Sequence, residues 1–144
     1  MSTIKVTRQV EAPVGEVFET ISDIRNFSKA VPDIIDVKFL SEIKSGVGTK
    51  FKETREFNGR EAATVLEVTE FVQNDHIRIV SDTQGTIWDT LFTVSEKDGV
   101  CELTLVMEAR PYKFLSKLMV PLMKVFVKKA LEKDMDAVKD YCEN

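Results

Sequence analysis

Between residues 3 and 11 apolar and polar side chains alternate in part. Ile4, Val6 and Val10 fall on one side, and Lys5, Thr7, Gln9 and Glu11 on the other. A period of two is what a strand half-buried on one face requires. The period then lengthens. In "APVGEVFETIS" Val14, Val17, Phe18 and Ile21 recur at helical spacing. Pro13 suits a first helical turn, where a missing N–H costs nothing. Asp23 is placed to cap a second short helix running through Val31, and Pro32 stops it. Beyond Pro32 the period returns to two. Turn signals recur at "KSGVG" (44–48), "NG" (58–59), "QND" (73–75), "QG" (84–85) and "DG" (98–99). Asn-Gly and Asp-Gly favour tight hairpins, because both central positions of a type I′ turn need positive φ. Six strands joined by short loops are therefore predicted, which makes them antiparallel neighbours. A helical period closes the chain. The expected architecture is α+β: strand, two short helices, six-strand meander, one long helix over residues 112–142. A lone long helix must bury its apolar stripe, and one face of the sheet is the surface on offer.

The alternation also predicts which side chains point inward. In "TKFKETREF" (49–57) Lys50, Lys52, Thr54 and Glu56 form a wholly polar face. Phe51 and Phe57 lie on the other, so that face points in, and Glu53 and Arg55 share its parity. In 76–83 Ile77 and Ile79 point in, sending His76 and Arg78 outward. In 100–110 Cys101, Leu103, Leu105, Met107 and Ala109 point in. For "TIWDTLFTV" (86–94) the preferred reading puts Thr86, Trp88, Thr90, Phe92 and Val94 inside and Asp89 in water.

The closing segment carries a narrow polar stripe, Lys113, Lys117, Lys124 and Lys128. Opposite it lie Leu115, Leu118, Met119, Leu122, Met123, Phe126 and Val127. Later the apolar stripe narrows to Ala130, Leu131, Val138 and Tyr141. The first half is thus expected to bury more surface than the second. Pro121 removes a backbone bond to Lys117 and is expected to bend the helix. The longest unbroken apolar run here, Leu118 to Met123, falls far short of the roughly 20 residues a membrane span needs. Room is left for transient contact with a membrane surface, although Glu132, Asp134 and Asp136 offset the lysines.

Bulk properties narrow the picture further. A chain of 144 residues fits one domain spanning 1–144. A net charge of −4 argues against a nucleic-acid partner, which demands a dense basic surface. "MSTIKVTRQV" lacks the apolar core of a signal peptide. The two cysteines, Cys101 and Cys142, stand far apart without a metal-ligand spacing, so a reducing, cytoplasmic setting is expected. No metal or cofactor is implied: "SGVGTK" lacks the full phosphate-loop pattern.

Three stretches carry a resemblance along nearly the whole chain. "VTRQVEAPVGEVFETISDIRNFSKAVPDI" leads a strand into an Ala-Pro helix start and then an aspartate. "GVGTKFKE" is a glycine-rich turn into a strand, and "RPYKFLSKLMVPLMKVFVKKALEKDMDAVKDY" is a long final helix with an internal proline. Together they resemble the START-like superfamily of helix-grip domains, in particular the small bacterial polyketide cyclase/dehydrase and lipid-transport group. The resemblance implies a seven-stranded antiparallel sheet curled round the closing helix, with an apolar cavity between. Members of that superfamily include sterol and lipid carriers, plant hormone receptors, ubiquinone-binding proteins and aromatic cyclases, so the fold does not choose a function.

Glu53 and Arg55 are the most suggestive pair, because ionisable groups on an inward face are costly unless paired or wetted. Either they orient the polar end of an apolar ligand, or they pair with each other or sit at the rim. Phe51, Trp88, Phe92, Leu105, Met107, Met119 and Met123 would line the space between sheet and helix, as cavity wall or as core packing. His76 is the only histidine, but its outward parity beside a turn favours a surface role over catalysis. Asp33 and Asp36 read as solvated loop acids, and Cys101 as a small core residue. The leading expectation is carriage of a hydrophobic small molecule (lipid, isoprenoid or polyketide-like) without catalysis, since no positioned base or nucleophile is evident. One alternative is a cyclase or dehydratase using Glu53 and Arg55. Another is a filled-core module that binds a partner.

Overall fold

The computed structural model describes residues 2–144. The elements run β1 (Ser2–Val10), α1 (Val14–Ser22), α2 (Ile24–Ala30), β2 (Ile34–Phe39), β3 (Lys50–Phe57), β4 (Arg60–Val72), β5 (His76–Thr83), β6 (Thr86–Lys97), β7 (Val100–Pro111) and α3 (Phe114–Glu143). The seven strands form one sheet in the order β1-β7-β6-β5-β4-β3-β2, and each pairing is antiparallel. Consecutive hairpins build β2 to β7. The α1–α2 pair carries the chain from one sheet edge, β1, to the other, β2.

Local chemistry explains these elements. Asn58–Gly59, Gln84–Gly85 and Asp98–Gly99 all take positive φ, the backbone that a two-residue hairpin requires. Pro13 stands just outside α1, in the extended N-cap position rather than in its first turn. Asp23 caps α2 by accepting the Arg25 backbone N–H at 2.9 Å, and α2 ends at Ala30 ahead of Val31 and Pro32. Phe18 of α1 meets Phe71 of β4 edge-on at 5.3 Å, and Phe27 of α2 meets Phe92 of β6 at 6.1 Å. These contacts hold the two short helices over the concave face of the sheet.

The inward parities of β3, β5, β6 and β7 match the sequence expectation: Phe51, Ile77, Thr86, Thr90, Phe92, Val94, Cys101, Leu103, Leu105 and Ala109 are buried. Phe57 shares that face but lies at its open end and is exposed. Asp89 does lie on the outer face, yet it is not simply solvated. Arg78 and Arg110 donate to its Oδ2 at 3.3 and 3.2 Å.

The long helix departs from expectation. Its second half is the buried one: Leu131, Asp134, Met135 and Val138 are enclosed, and Tyr141 is exposed. This half packs on β1. Arg8 of β1 donates to Asp136 at 2.6 Å, and Glu143 accepts the Glu11 backbone N–H at 2.8 Å. In the first half only Ser116 and Val120 are buried, while Leu115, Leu118, Met119, Leu122, Met123 and Phe126 are exposed. The physical reason is geometric. A helix apolar all round has no stripe that fixes its rotation, and the sheet meets it on one side only. Ser116 donates to the Gln84 carbonyl at 2.7 Å and pins the start of α3 to the β5–β6 turn. The helix runs unbroken through Pro121. Among the described residues no helix is long and apolar enough to cross a membrane.

Candidate functional site

The interior has a solid part and a hollow part. Near β1 and the C-terminal half of α3, Val10, Val17, Phe18, Leu103, Met135 and Val138 are fully enclosed. Towards β3–β6 the sheet and α3 separate and leave a cavity of about 420 Å³. That is within the range of small-molecule pockets, about 300–1,000 Å³. Inward positions of β3 to β7 line it, together with Ile21, Ile24 and Phe27 of α1 and α2. Helix α3 contributes Met123, Val127, Ala130, Leu131 and Asp134.

Eight of the nine residues expected at the site from sequence meet here: Phe51, Glu53, Arg55, Trp88, Phe92, Leu105, Met107 and Met123. Met119 does not. It sits on the solvent side of α3, because the helix turns Val120 and Met123 rather than Met119 towards the sheet. Asp33 and Asp36 lie off the cavity wall, and Asp33 pairs with Lys133 at 3.0 Å. His76 is a surface group between Asp75 (2.6 Å) and Glu70 (3.2 Å). The Asp75 hydrogen bond holds its imidazolium above the ordinary histidine range. Cys101 is buried, and burial pushes its thiol up to about 11, the opposite of an activated nucleophile. Both cysteines are free thiols.

The ionic feature of the wall is a triad. Glu53 and Arg55 project from the same face of β3, and Arg55 Nε donates to Glu53 Oε2 at 3.0 Å. From α3, Asp134 takes the other edge of the guanidinium: Nη1 donates to Oδ1 at 2.9 Å, and Nη2 lies 2.9 Å from Oδ2. The two-pronged contact ties sheet to helix across the hollow. Burial alone would pull the Arg55 guanidinium down, but Asp134 and Glu53 outweigh it and hold it charged, above its ordinary value. Burial also dominates Asp134. Its carboxyl sits above the usual aspartate range, Arg55 offsets this only in part, and the nearby Asp33 adds to it. With both carboxylates ionised, the cluster carries one more negative than positive charge.

Asp134 escapes the sequence reading of the site. It lies among acidic and basic residues in the half of α3 whose apolar stripe reads as the narrower one, yet it stands three residues after Leu131 and four before Val138, inside the apolar arc. That position is its available signal. Thr64, Leu66 and Val68 of β4 also escape it. A bulge between Val68 and Glu70 breaks the period of two there, so Val68 and Phe71 both reach the interior from positions of opposite parity. The remaining wall is apolar or hydroxylic, with Ser81, Thr83 and Thr90 among the hydroxyls, apart from Lys44, whose ammonium lies 5.7 Å from the Phe39 ring centroid. Among the described residues no cluster of metal-ligating side chains occurs.

A sheet gripping a terminal helix, with an apolar hollow between them, defines the helix-grip class of α+β proteins. Residues 1–143 match the family model described as polyketide cyclase / dehydrase and lipid transport, and the chain belongs to that family. No curated protein sequence matches it significantly. Solved structures share the fold at low identity. A START superfamily protein from Mycobacterium smegmatis aligns with TM-score 0.78 and 14% identity over 98% of this chain and 97% of that one. The protein TTHA0849 from Thermus thermophilus aligns with TM-score 0.78 and 11% identity over 96% and 95%. The di-domain ARO/CYC StfQ of the steffimycin biosynthetic pathway aligns with TM-score 0.80 and 8% identity over 98% of this chain and 50% of that one.

Proposed function

We propose that the protein binds and carries a hydrophobic small molecule in the cavity between its sheet and α3, as one domain working in the cytoplasm. The observation carrying this reading is the 420 Å³ hollow whose apolar and hydroxylic wall includes the Arg55–Glu53–Asp134 triad. Buried charge of this kind suits the recognition of one polar end of an otherwise apolar body. The triad also indicates which end. Three of the five Arg55 N–H groups point at carboxylate oxygens, and the two carboxylates of Glu53 and Asp134 outnumber the one guanidinium while keeping acceptor lone pairs open. A group that donates, such as an alcohol or phenol, fits there, whereas a carboxylate or phosphate meets excess negative charge. The ligand class is thus an apolar molecule with a hydroxyl terminus. Two free cysteines accord with a reducing compartment.

A neutral naphthylamine dye and its sulfonated analogue separate these terms. The wild type should bind the neutral dye and take up the sulfonate far more weakly. Glu53→Gln removes one negative charge, so sulfonate affinity should rise about tenfold, the worth of one charge-assisted hydrogen bond, with the neutral dye little changed. A sulfonate that binds the wild type as well as the neutral dye does would refute the assignment of the polar end. Native mass spectrometry of the freshly purified protein should show an added mass that organic extraction removes.

A cyclase or dehydratase reading has one specific support. Asp134 is a carboxyl with a raised proton affinity on the cavity wall, the property a general acid or base needs. Turnover of a poly-ketone substrate that Asp134→Asn abolishes would favour it over carriage alone.

A further inference from the structure

The hydroxyls on the cavity wall are not all in use. Thr49 Oγ1 donates to the Gly46 carbonyl at 2.7 Å. Thr64 and Thr83 are half-buried. Ser81 and Thr90 differ from these. They are only 5% and 9% exposed, and both line the hollow. Among the described residues neither side chain hydrogen-bonds to a protein group. A buried hydroxyl without a partner is costly, so two together on a cavity wall mark a place where a guest atom completes the bond. The strand pairings fix where they stand. Lys50, Glu67, Val80 and Asp89 share one row across β3 to β6. Ser81 lies one residue to one side of that row and Thr90 one residue to the other. Such diagonal neighbours on adjacent strands are about 7–8 Å apart, near enough for one oxygen between them to accept from both. Glu53 of the triad stands three residues from the row, on the same side as Ser81. Two strand spacings and two residues therefore separate Glu53 from Ser81, about 12 Å along the sheet. Phe51 and Leu66, an apolar register pair on the same wall, lie between.

We infer that Ser81 and Thr90 form a second polar contact for the ligand and hold a carbonyl oxygen there, while Glu53 and Asp134 take its hydroxyl. A carbonyl fits because it brings two lone pairs and no proton, and each side-chain hydroxyl has one proton to place. The ligand class narrows accordingly. It is an apolar body with a hydroxyl at one end and a ketone or ester carbonyl about 12 Å away, the sheet distance between the two contacts. This inference rests on the reading of the cavity as a ligand site.

Displacement of the neutral naphthylamine dye tests it on the full chain with two matched probes. One is dodecanol, and the other is its analogue with a ketone beside the far end. Both should displace the dye from the wild type. In the double variant Ser81→Ala with Thr90→Val, dodecanol affinity should stay within about twofold, and hydroxy-ketone affinity should fall about tenfold, the worth of the two hydrogen bonds removed. The melting temperature of the variant should hold, since neither hydroxyl bonds to the folded chain. Equal weakening of both probes overturns the inference, because the change is then structural. No weakening of either also overturns it, because the hydroxyls then serve only water in the cavity. In both cases dye uptake by the wild type leaves the carrier reading standing. A wild type that takes up neither dye nor probes overturns the two together.

Discussion

Arg55 faces two carboxylates at distances of 2.9 to 3.0 Å, and each of the three groups is largely buried. Removing one partner of a buried ion pair is usually costly, because it leaves a desolvated charge behind. Asp134→Ala should therefore lower the unfolding free energy by about 3 kcal/mol, the lower end of that cost, since Glu53 still neutralises Arg55. Denaturant unfolding checks this, and a loss well below about 1 kcal/mol would mean that water already screens the pair. The raised proton affinity of Asp134 adds a pH signature. In the pH window between an ordinary aspartate pKa and the raised one, the folded state binds more protons than the unfolded state. Stability at this site is thus greatest below the ordinary value and falls as pH rises through the window. Asp23 and Glu143, whose carboxyls are held below their ordinary range by Arg25 and by the Glu11 backbone N–H, act in the opposite sense. The difference between wild type and Asp134→Asn isolates the Asp134 contribution. The stability of the variant relative to wild type should rise with pH through that window, and a pH-independent difference would contradict the assignment.

At the scale of elements, turns and helix ends control how the hollow is framed. Gly85 has φ +85°, and a Cβ there would lie 2.6 Å from Ser116 Oγ and 2.8 Å from Lys113 Cβ. Gly59 has φ +80° but would meet nothing within 4 Å. Both Gly→Ala changes carry the left-handed backbone penalty of about 1–2 kcal/mol. Gly85→Ala must also push the β5–β6 turn away from the start of α3, so its melting temperature should drop clearly further than that of Gly59→Ala. Equal losses would mean that the turn does not anchor α3. These elements are readable in the sequence to different depths. Strands β3, β5, β6 and β7 keep a strict period of two, which places Phe51, Ile77, Phe92 and Leu105 on the correct face. Bulges at Ile34/Asp36 and Val68/Glu70 shift that period, so β2 and β4 conceal their inward residues. In α3 the difficulty is rotation. Between Phe114 and Val127 apolar residues occupy nearly every side, and periodicity cannot say which side meets the sheet. Burial of the second half depends instead on packing against β1, a tertiary contact with no local mark.

For the whole molecule, the solid end and the hollow end divide the work. The packed region around β1, β7 and the second half of α3 gives the fold its rigidity. The separated region between β3–β6 and the middle of α3, from Met123 to Asp134, gives it room. The central claim is that this room receives an apolar molecule, and titration of the neutral naphthylamine dye into wild type and Met107→Trp, with melting curves on both, tests it most directly. Met107 lines the cavity from β7, and an indole there projects into space that is open. The account predicts saturable dye binding by the wild type and its loss in Met107→Trp, with a melting temperature nearly unchanged. If the variant instead loses the roughly 1–3 kcal/mol typical of an overpacked core, and the wild type binds no dye, the interior is filled and the carrier account is wrong.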